Sequence, residues 1–103
     1  MPDVRDNTER SRFEINVDGN IAFSEYWRTG DRLTIRHTEV PKALEGRGIG
    51  SALARGLLDL ARTQKLKVKP LCPFVAGYIK KHPEYADLLA SAPFAYVTLR
   101  SPP

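Results

Sequence analysis

Hydrophobic and polar positions alternate in the first third of the chain and then change period. In "RFEINV" the apolar residues Phe13, Ile15 and Val17 share one phase, and in "NIAFSEYW" Ile21, Phe23 and Trp27 do the same. A period of two is that of a β-strand with one buried face. Asp18-Gly19 lies between the two runs, and because a tight turn needs the positive φ that glycine adopts without strain, the pair predicts a β-hairpin. Thr29-Gly30-Asp31 is a second turn, leading into "RLTIRHTEV", where Leu33 and Ile35 continue the alternation. The three segments predict an antiparallel meander.

The spacing then lengthens. Leu53, Leu57, Leu60 and Ala61 recur at helical intervals while Arg55, Asp59 and Arg62 fall on the other side, which predicts an amphipathic helix from 50 to about 64 with one face on the sheet. "KLKVKPL" is a short basic strand. Since a helix separates it from the third strand, the two are expected to be parallel neighbours. Pro73 suits the first turn of a second helix carrying Phe74, Val75, Tyr78 and Ile79, and the His82-Pro83 step ends it. "EYADLLA" reads as a short helical turn and "FAYVTL" as a last strand. The class is therefore α/β (α+β), a single domain over residues 11–100. Residues 1–10 and the terminal Ser-Pro-Pro are expected to fray.

Composition narrows the possibilities. In 103 residues, 42% apolar and 27% charged, there is room for one modest core of ordinary globular make-up. No apolar run approaches the roughly 20 residues that cross a bilayer, and "MPDVRDNTERSRF" lacks the apolar stretch of a signal peptide. These features predict a soluble, cytoplasmic protein. The single cysteine, Cys72, excludes an internal disulfide framework and leaves too few thiolates for a structural zinc site, so no metal is expected. A net charge of +4 suits nucleic acid, an anionic surface or a phosphate-rich cofactor equally well.

One stretch carries more information than charge does. "EGRGIGS" places Gly46, Gly48 and Gly50 at alternate positions directly ahead of the first helix. A helix start has unpaired backbone N–H groups and a partial positive charge, and a turn without Cβ atoms lets a phosphate approach them. No Gly-Lys-Ser/Thr closes the stretch, so it is not a Walker loop, and the glycine spacing of a dinucleotide fingerprint is absent. Gly46 to Ser51 reads either as a diphosphate cradle or as a tight strand-to-helix turn and nothing more.

The order of parts, a meander, then "HTEVP", then Gly-x-Gly-x-Gly, an amphipathic helix and a parallel strand, resembles the GCN5-related N-acetyltransferases. Their signature is Arg or Gln, two residues, Gly, one residue, then Gly or Ala, and its amides hold the pyrophosphate of acetyl-CoA. It maps here onto Glu45-Gly46-Arg47-Gly48-Ile49-Gly50. Glu45 departs from the pattern; an acid facing phosphate would repel it, so Glu45 is expected to point away and Arg47 to supply the positive charge. "HTEVP" and "CPFVAGYIKKHPEY" are closest to the small single-domain members, over roughly residues 10 to 90. The resemblance implies a mixed sheet in which the strand ending His37-Thr38-Glu39-Val40 splays from "KVKPL", making a V for the pantetheine arm. It further implies arm contacts from the main chain of Thr38, Glu39 and Val40 and diphosphate contacts from Gly46, Arg47, Gly48, Ile49, Gly50 and Ser51, with acetyl-CoA or CoA as co-substrate.

Cys72, His37, Glu39 and Tyr78 are the candidates for chemistry. Cys72 is either a small buried hydrophobe or a thiol activated at a helix N-terminus, with Lys67, Lys69, Lys80 and Lys81 adding potential if they converge. In the small members a cysteine at this position faces the thioester. His37 and Glu39 are the available bases, and histidine as a residue type suits deprotonating an ammonium, yet strict alternation puts His37 on the core side with Leu33 and Ile35 unless a bulge breaks the register. Tyr78 is suited to protonating a departing CoA thiolate and equally suited to the core; His82, before proline, reads as structural.

Three function classes follow. The first is an acetyl-CoA-dependent N-acetyltransferase with an amine acceptor, by direct transfer or through an acetylated Cys72. The second is a silent acyl-CoA-binding module, which the small size permits. The third, a nucleic-acid binder stacking bases on Phe23, Tyr26 and Trp27, is disfavoured because these aromatics lie on faces that need burial and the basic residues are scattered.

Overall fold

A computed structural model describes residues 3–90. Five strands and two helices follow one another as β1 (Arg5–Asn7), β2 (Arg12–Val17), β3 (Asn20–Thr29), β4 (Arg32–Glu39), α1 (Ile49–Thr63), β5 (Lys67–Pro70) and α2 (Pro73–Lys81). They form one sheet in the order β1-β2-β3-β4-β5, with β4 and β5 parallel and the other pairs antiparallel.

The turns form where backbone chemistry allows. Asp18 and Gly19 both take positive φ (53° and 84°) and close the β2–β3 hairpin on the pair Val17↔Asn20, a two-residue turn whose twist matches the strands. No glycine ends α1. Lys65 adopts φ 59° instead, and the amides of Lys65 and Leu66 return to the carbonyls of Arg62 (3.2 Å) and Ala61 (2.8 Å), so the last turn is satisfied by a Schellman arrangement with a lysine in the left-handed position. Pro73 begins α2 and His82-Pro83 stops it, since the residue before proline is disfavoured in helical conformation. A 3-10 turn, Pro83–Leu88, follows "KKH"; Arg62 ties it to α1 through Asp87 (2.8 Å) and the Glu84 carbonyl (2.8 Å). The "FAYVTL" segment, 94–99, lies outside the described residues.

One face of the sheet is buried. Phe13, Ile15, Ala22, Tyr26, Leu33, Ile35 and Val68 meet Leu53, Leu57, Leu58 and Ala61 of α1 and Val75 and Ile79 of α2 in a single core. The phase of β3 differs from the expected one. Ala22, Ser24 and Tyr26 point inward, whereas Ile21 and Phe23 are half-buried and Trp27 is 56% exposed. Both phases of "NIAFSEYW" carry apolar residues, and the small pair Ala22 and Ser24 leaves room for α1 to approach. The bulky phase is shielded by arginine instead: the guanidinium carbons of Arg12 and Arg36 stand 4.3 Å and 4.2 Å from the ring centroids of Phe23 and Trp27. Arg12 also donates to the buried Glu14 at 2.6 Å, and this bond holds the Glu14 carboxyl below the usual carboxylate range.

The N-terminal segment is better anchored than its composition suggests. Arg5–Asn7 pairs with β2, the Tyr26 hydroxyl donates to Asp6 (2.6 Å), and Asn7 donates to Glu14 (3.0 Å). Val4 lies against α1 at Gly56: a Cβ on that glycine would meet Val4 Cγ2 at 2.1 Å. Glycine inside a helix costs about 1 kcal/mol relative to alanine, and close packing of Val4 is what this position gains for it.

Gly56→Ala should dislodge Val4 and leave α1 helical, so amide exchange should speed up at Arg5–Asn7 and stay slow in the middle of α1; unchanged protection of β1 would contradict the packing. Burial, then the neighbouring Asp6 and Asp59 carboxylates, push the phenols of Tyr26 and Tyr85 up to about 12 from 10.0. The folded state therefore keeps protons that the unfolded chain loses, so this stabilisation is complete below pH 10 and is lost as pH rises through 10 to 12. Urea midpoints should fall across that window, and less steeply in Tyr26→Phe.

Candidate functional site

The site begins with one extra residue in β4. Glu25 pairs with His37 while the next residue of β3, Tyr26, pairs with Ile35, so Arg36 is a bulge. An inserted residue reverses which side chains face the core from that point on. Leu33 and Ile35 point inward before it and Thr38 does so after it, while His37 and Glu39 are exposed. His37 thus leaves the core side that alternation assigned to it. Its ring bonds Glu39 (Nε2 to Oε2, 3.1 Å) and meets Phe23 edge-on at 6.5 Å between centroids. His37 and Cys72 therefore lie on opposite sides of the sheet.

β4 and β5 then part. Their parallel pairing runs from Arg32↔Lys67 to Ile35↔Pro70 and stops. Pro70 has no N–H to continue a ladder, and the Ile35 carbonyl accepts from both Leu71 (2.9 Å) and Cys72 (3.1 Å), which turns the chain away from β4 and into α2. Residues 36–39 of β4 keep β3 on one side and lose β5 on the other. A fork opens there, and Cys72, the N-cap of α2, sits at its base.

Across the fork Cys72 meets Thr38. The Cys72 thiol donates to Thr38 Oγ1 at 3.3 Å, and Thr38 Oγ1 is 2.7 Å from Oγ of Ser24. Cys72 is 5% exposed and Ser24 is wholly buried. The lysines do not converge on this thiol. Lys67 donates to the Asp87 carbonyl (2.8 Å), and Lys80 and Lys81 are in the last turn of the nine-residue α2, roughly 13 Å along the helix from its start.

The glycine turn leads from β4 into α1. A 3-10 turn, Lys42–Leu44, anchors it through buried Leu44, and Glu45, Gly46, Arg47 and Gly48 are exposed. Gly46 and Gly48 take φ 77° and 72°, which L-residues adopt only with strain. Gly48 caps α1 with no side-chain hydrogen bond, and no acidic residue occupies the first turn, so the helix's own first turn leaves its positive end without an anion. Gly50 serves packing instead. A Cβ there would come 2.8 Å from the Phe74 ring, so its absence lets the starts of α1 and α2 pack together. Ile49 is a core residue.

Gly48, Ser51, Arg55 and Tyr78 line an open cleft of about 440 Å³ together with Asp3 and Val4, a volume in the range of small-molecule sites. Tyr78 is held by His82, whose ring stacks on it at 4.0 Å with a 16° tilt and whose Nδ1–H donates to the Tyr78 carbonyl at 2.9 Å. Of the sequence candidates, Cys72 and Thr38 meet at the base of the fork, Gly48, Ser51 and Tyr78 share the cleft, and His37 and the Glu39 side chain are elsewhere. Sequence patterning does not single out Ser24 or Phe74 for the site; the available signal for Ser24 is its phase with Ala22 and Tyr26.

Comparison with known proteins places this geometry. The family model for GCN5-related N-acetyl-transferase matches residues 12–88, from the start of β2 through the last 3-10 turn. The chain belongs to the GCN5-related N-acetyltransferase family. It is similar to Protein NATD1 of Mus musculus and of Homo sapiens, 34% identical to each over 83 residues, which are 78% of this chain and 76% and 74% of those proteins. Protein NATD1 of Danio rerio is 30% identical over 91 residues, 82% of this chain and 81% of that protein. The solution structure of a GCN5-like protein from Staphylococcus aureus superimposes with a TM-score of 0.66 over 94% of this chain and 96% of that one, at 23% identity. This likeness shows that the mixed sheet and its helices form the family's fold. No helix among the described residues is long and apolar enough to cross a membrane.

The burial of Cys72 has a direct consequence. In the folded protein its thiol should react far more slowly with a bulky aromatic disulfide reagent than in urea, and equal rates would mean that Cys72 is not seated beneath Thr38.

Proposed function

We propose that this protein is an acetyl-CoA-dependent N-acetyltransferase that acylates a primary amine. The observation that carries the reading is the presence of two features in one fold: an uncapped helix start behind left-handed Gly48, and the fork between β4 and β5. The first suits a diphosphate and the second suits an extended amide-bearing arm, which together describe CoA. The amides around Gly46, Arg47, Gly48, Ile49, Gly50 and Ser51 are assigned to the diphosphate, with Arg47 adding charge beside them. The main chain of Thr38, Glu39 and Val40, without a β5 partner, is assigned to the arm. The co-substrate supplies an activated acyl group as a thioester.

The protein's own contribution is orientation. The fork aligns the arm along β4, and an amine brought beside it gains the advantage of a preassembled encounter. Cys72, at the base of the fork, is assigned to the lining of the thioester pocket. His37, on the outer face with Glu39, is not grouped with it, and Tyr78 is assigned to the wall of the cleft. A cytoplasmic setting, where thiols stay reduced, suits a single free cysteine.

Thermal unfolding in the presence of CoA tests the binding half of this reading. Ligand at a hundredfold excess over Kd stabilises by about 2.7 kcal/mol, so millimolar CoA should raise Tm clearly while NAD and ATP do far less. Gly48→Val should fold with a loss of about 1–2 kcal/mol and show no CoA shift. No shift with CoA in the unaltered protein would refute the assignment. A shift without turnover of acetyl-CoA against a panel of primary amines would favour the silent acyl-CoA-binding module instead.

A further inference from the structure

The face of the sheet turned away from α1 and α2 gathers charge of one sign around an exposed aromatic. Residues directly opposite in a ladder share a face, so Trp27↔Thr34 and Thr34↔Lys69 make one row across β3, β4 and β5, and Arg32↔Lys67 lies in the next. Leu33 and Val68, between these rows, are core residues, which puts both rows outside. Arg36 joins the first by stacking on Trp27 at 4.2 Å. The rows thus hold four cations and no carboxylate. Arg32, Arg36 and Lys69 are exposed and form no ion pair among the described residues, and Lys67 donates to the Asp87 carbonyl at 2.8 Å. The acids of this face, Glu14, Glu25 and Glu39, belong to the rows of Phe23 and Glu25, where Arg12 and His37 bond Glu14 and Glu39. Like charges directly opposite each other, as Arg32 and Lys67 are, cost a sheet stability. The pair does nothing for the fold, and a bound anion would relieve it.

We propose that this face binds single-stranded nucleic acid, with a base stacked against the Trp27–Arg36 pair and phosphates on Arg32, Lys67 and Lys69. Bases stack on indole rings and on guanidinium planes alike, and basic side chains beside them track the backbone. Tyr26 is buried, which bars it from stacking, but Trp27 is 56% exposed, so the objection that alternation raises against these aromatics does not apply to it. The basic residues, scattered in sequence, are brought together by the β4–β5 pairing. Trp27 and Lys69 stand two strand spacings apart, about 10 Å, so one short oligonucleotide covers the patch. A second copy of this chain would set like charge against like. An acidic peptide would satisfy the cations but has no planar group to match the indole and its guanidinium. The patch lies across the sheet from the cleft beside α1, and the proposal does not depend on the acetyltransferase reading.

Trp27 is the chain's single tryptophan, so its emission reports this patch. Titrating the full chain with an oligothymidylate of about 8 nucleotides in about 50 mM salt should quench it saturably. The logarithm of the binding constant should fall with the logarithm of salt concentration at a slope of about −2, the value for three phosphate contacts on a single strand. Saturating CoA should leave the titration unchanged. Lys69→Gln should keep the quenching and reduce the slope to about −1.4. Trp27→Ala, followed by anisotropy of a labelled oligonucleotide, should weaken binding at least about fivefold. Absence of quenching overturns the proposal, as does equal quenching by the same sequence in a duplex. Polyglutamate of equal charge competing on equal terms would reduce the patch to charge alone, and displacement of the oligonucleotide by CoA would move its site to the cleft; either result overturns it too. Protection of Trp27 from acrylamide as protein concentration rises, without oligonucleotide, would assign the face to a second copy instead. The salt slope and the CoA competition use the unaltered protein, so they stand even if a variant fails to fold.

Discussion

The inserted residue at Arg36 is the constraint from which the site derives. Before it, β4 is an ordinary core strand whose Leu33 and Ile35 hold the sheet to the helices. After it, the same strand turns a threonine inward and sends His37 and Glu39 outward, next to the point where Pro70 ends the pairing with β5. A regular strand would have buried the histidine and exposed the threonine. The fork thus comes from two local failures of regularity, a residue too many in β4 and an N–H too few in β5, placed side by side.

Much of this was legible in the sequence. Alternation located β2, β3 and β4, the change of period located α1 to within a residue or two, and Pro73 with His82-Pro83 bounded α2. These signals are local, arising from the geometry of a turn or the period of a face. The Gly-x-Gly-x-Gly stretch was legible as a special turn, though its three glycines divide the work: two supply left-handed backbone and the third makes room for Phe74. What could not be read depends on contacts distant in sequence. The bulge leaves no mark in "LTIRHTEV", since an insertion in pairing is a relation between two strands. β1 reads as polar and loose because its anchors, Tyr26 and Gly56, lie some 20 and 50 residues further along the chain. The choice of Ala22 and Ser24 for the inner face of β3 was set by how closely α1 must approach. The lysines near Cys72 in sequence disperse because strand and helix carry them to different ends.

Buried polar groups are few among the described residues, and each is tied to a neighbour. Glu14 is neutralised by Arg12 and bonded by Asn7, Tyr26 donates to Asp6, and Tyr85 donates to Asp59. These contacts link β1 to β3 and the last 3-10 turn to α1, so they fasten the edges of the fold to its centre. The Ser24, Thr38 and Cys72 contacts differ in that they end at an open fork. Buried polar groups that fasten only protein to protein could be replaced by apolar ones at little loss, whereas groups that terminate at a cleft are constrained by what enters it.

The outer face of the sheet carries the chain's single tryptophan, with Arg36 stacked on it. Trp27 is already more than half exposed in the folded state and stands on the side of the sheet away from the α1–α2 core. Its emission is therefore an insensitive gauge of cleft occupancy. Arg36, however, is the bulge residue itself, so the tryptophan is mechanically attached to the irregularity that shapes the fork. Its ring environment reports whether that bulge is intact, an optical handle on the backbone of the site from the opposite face of the molecule.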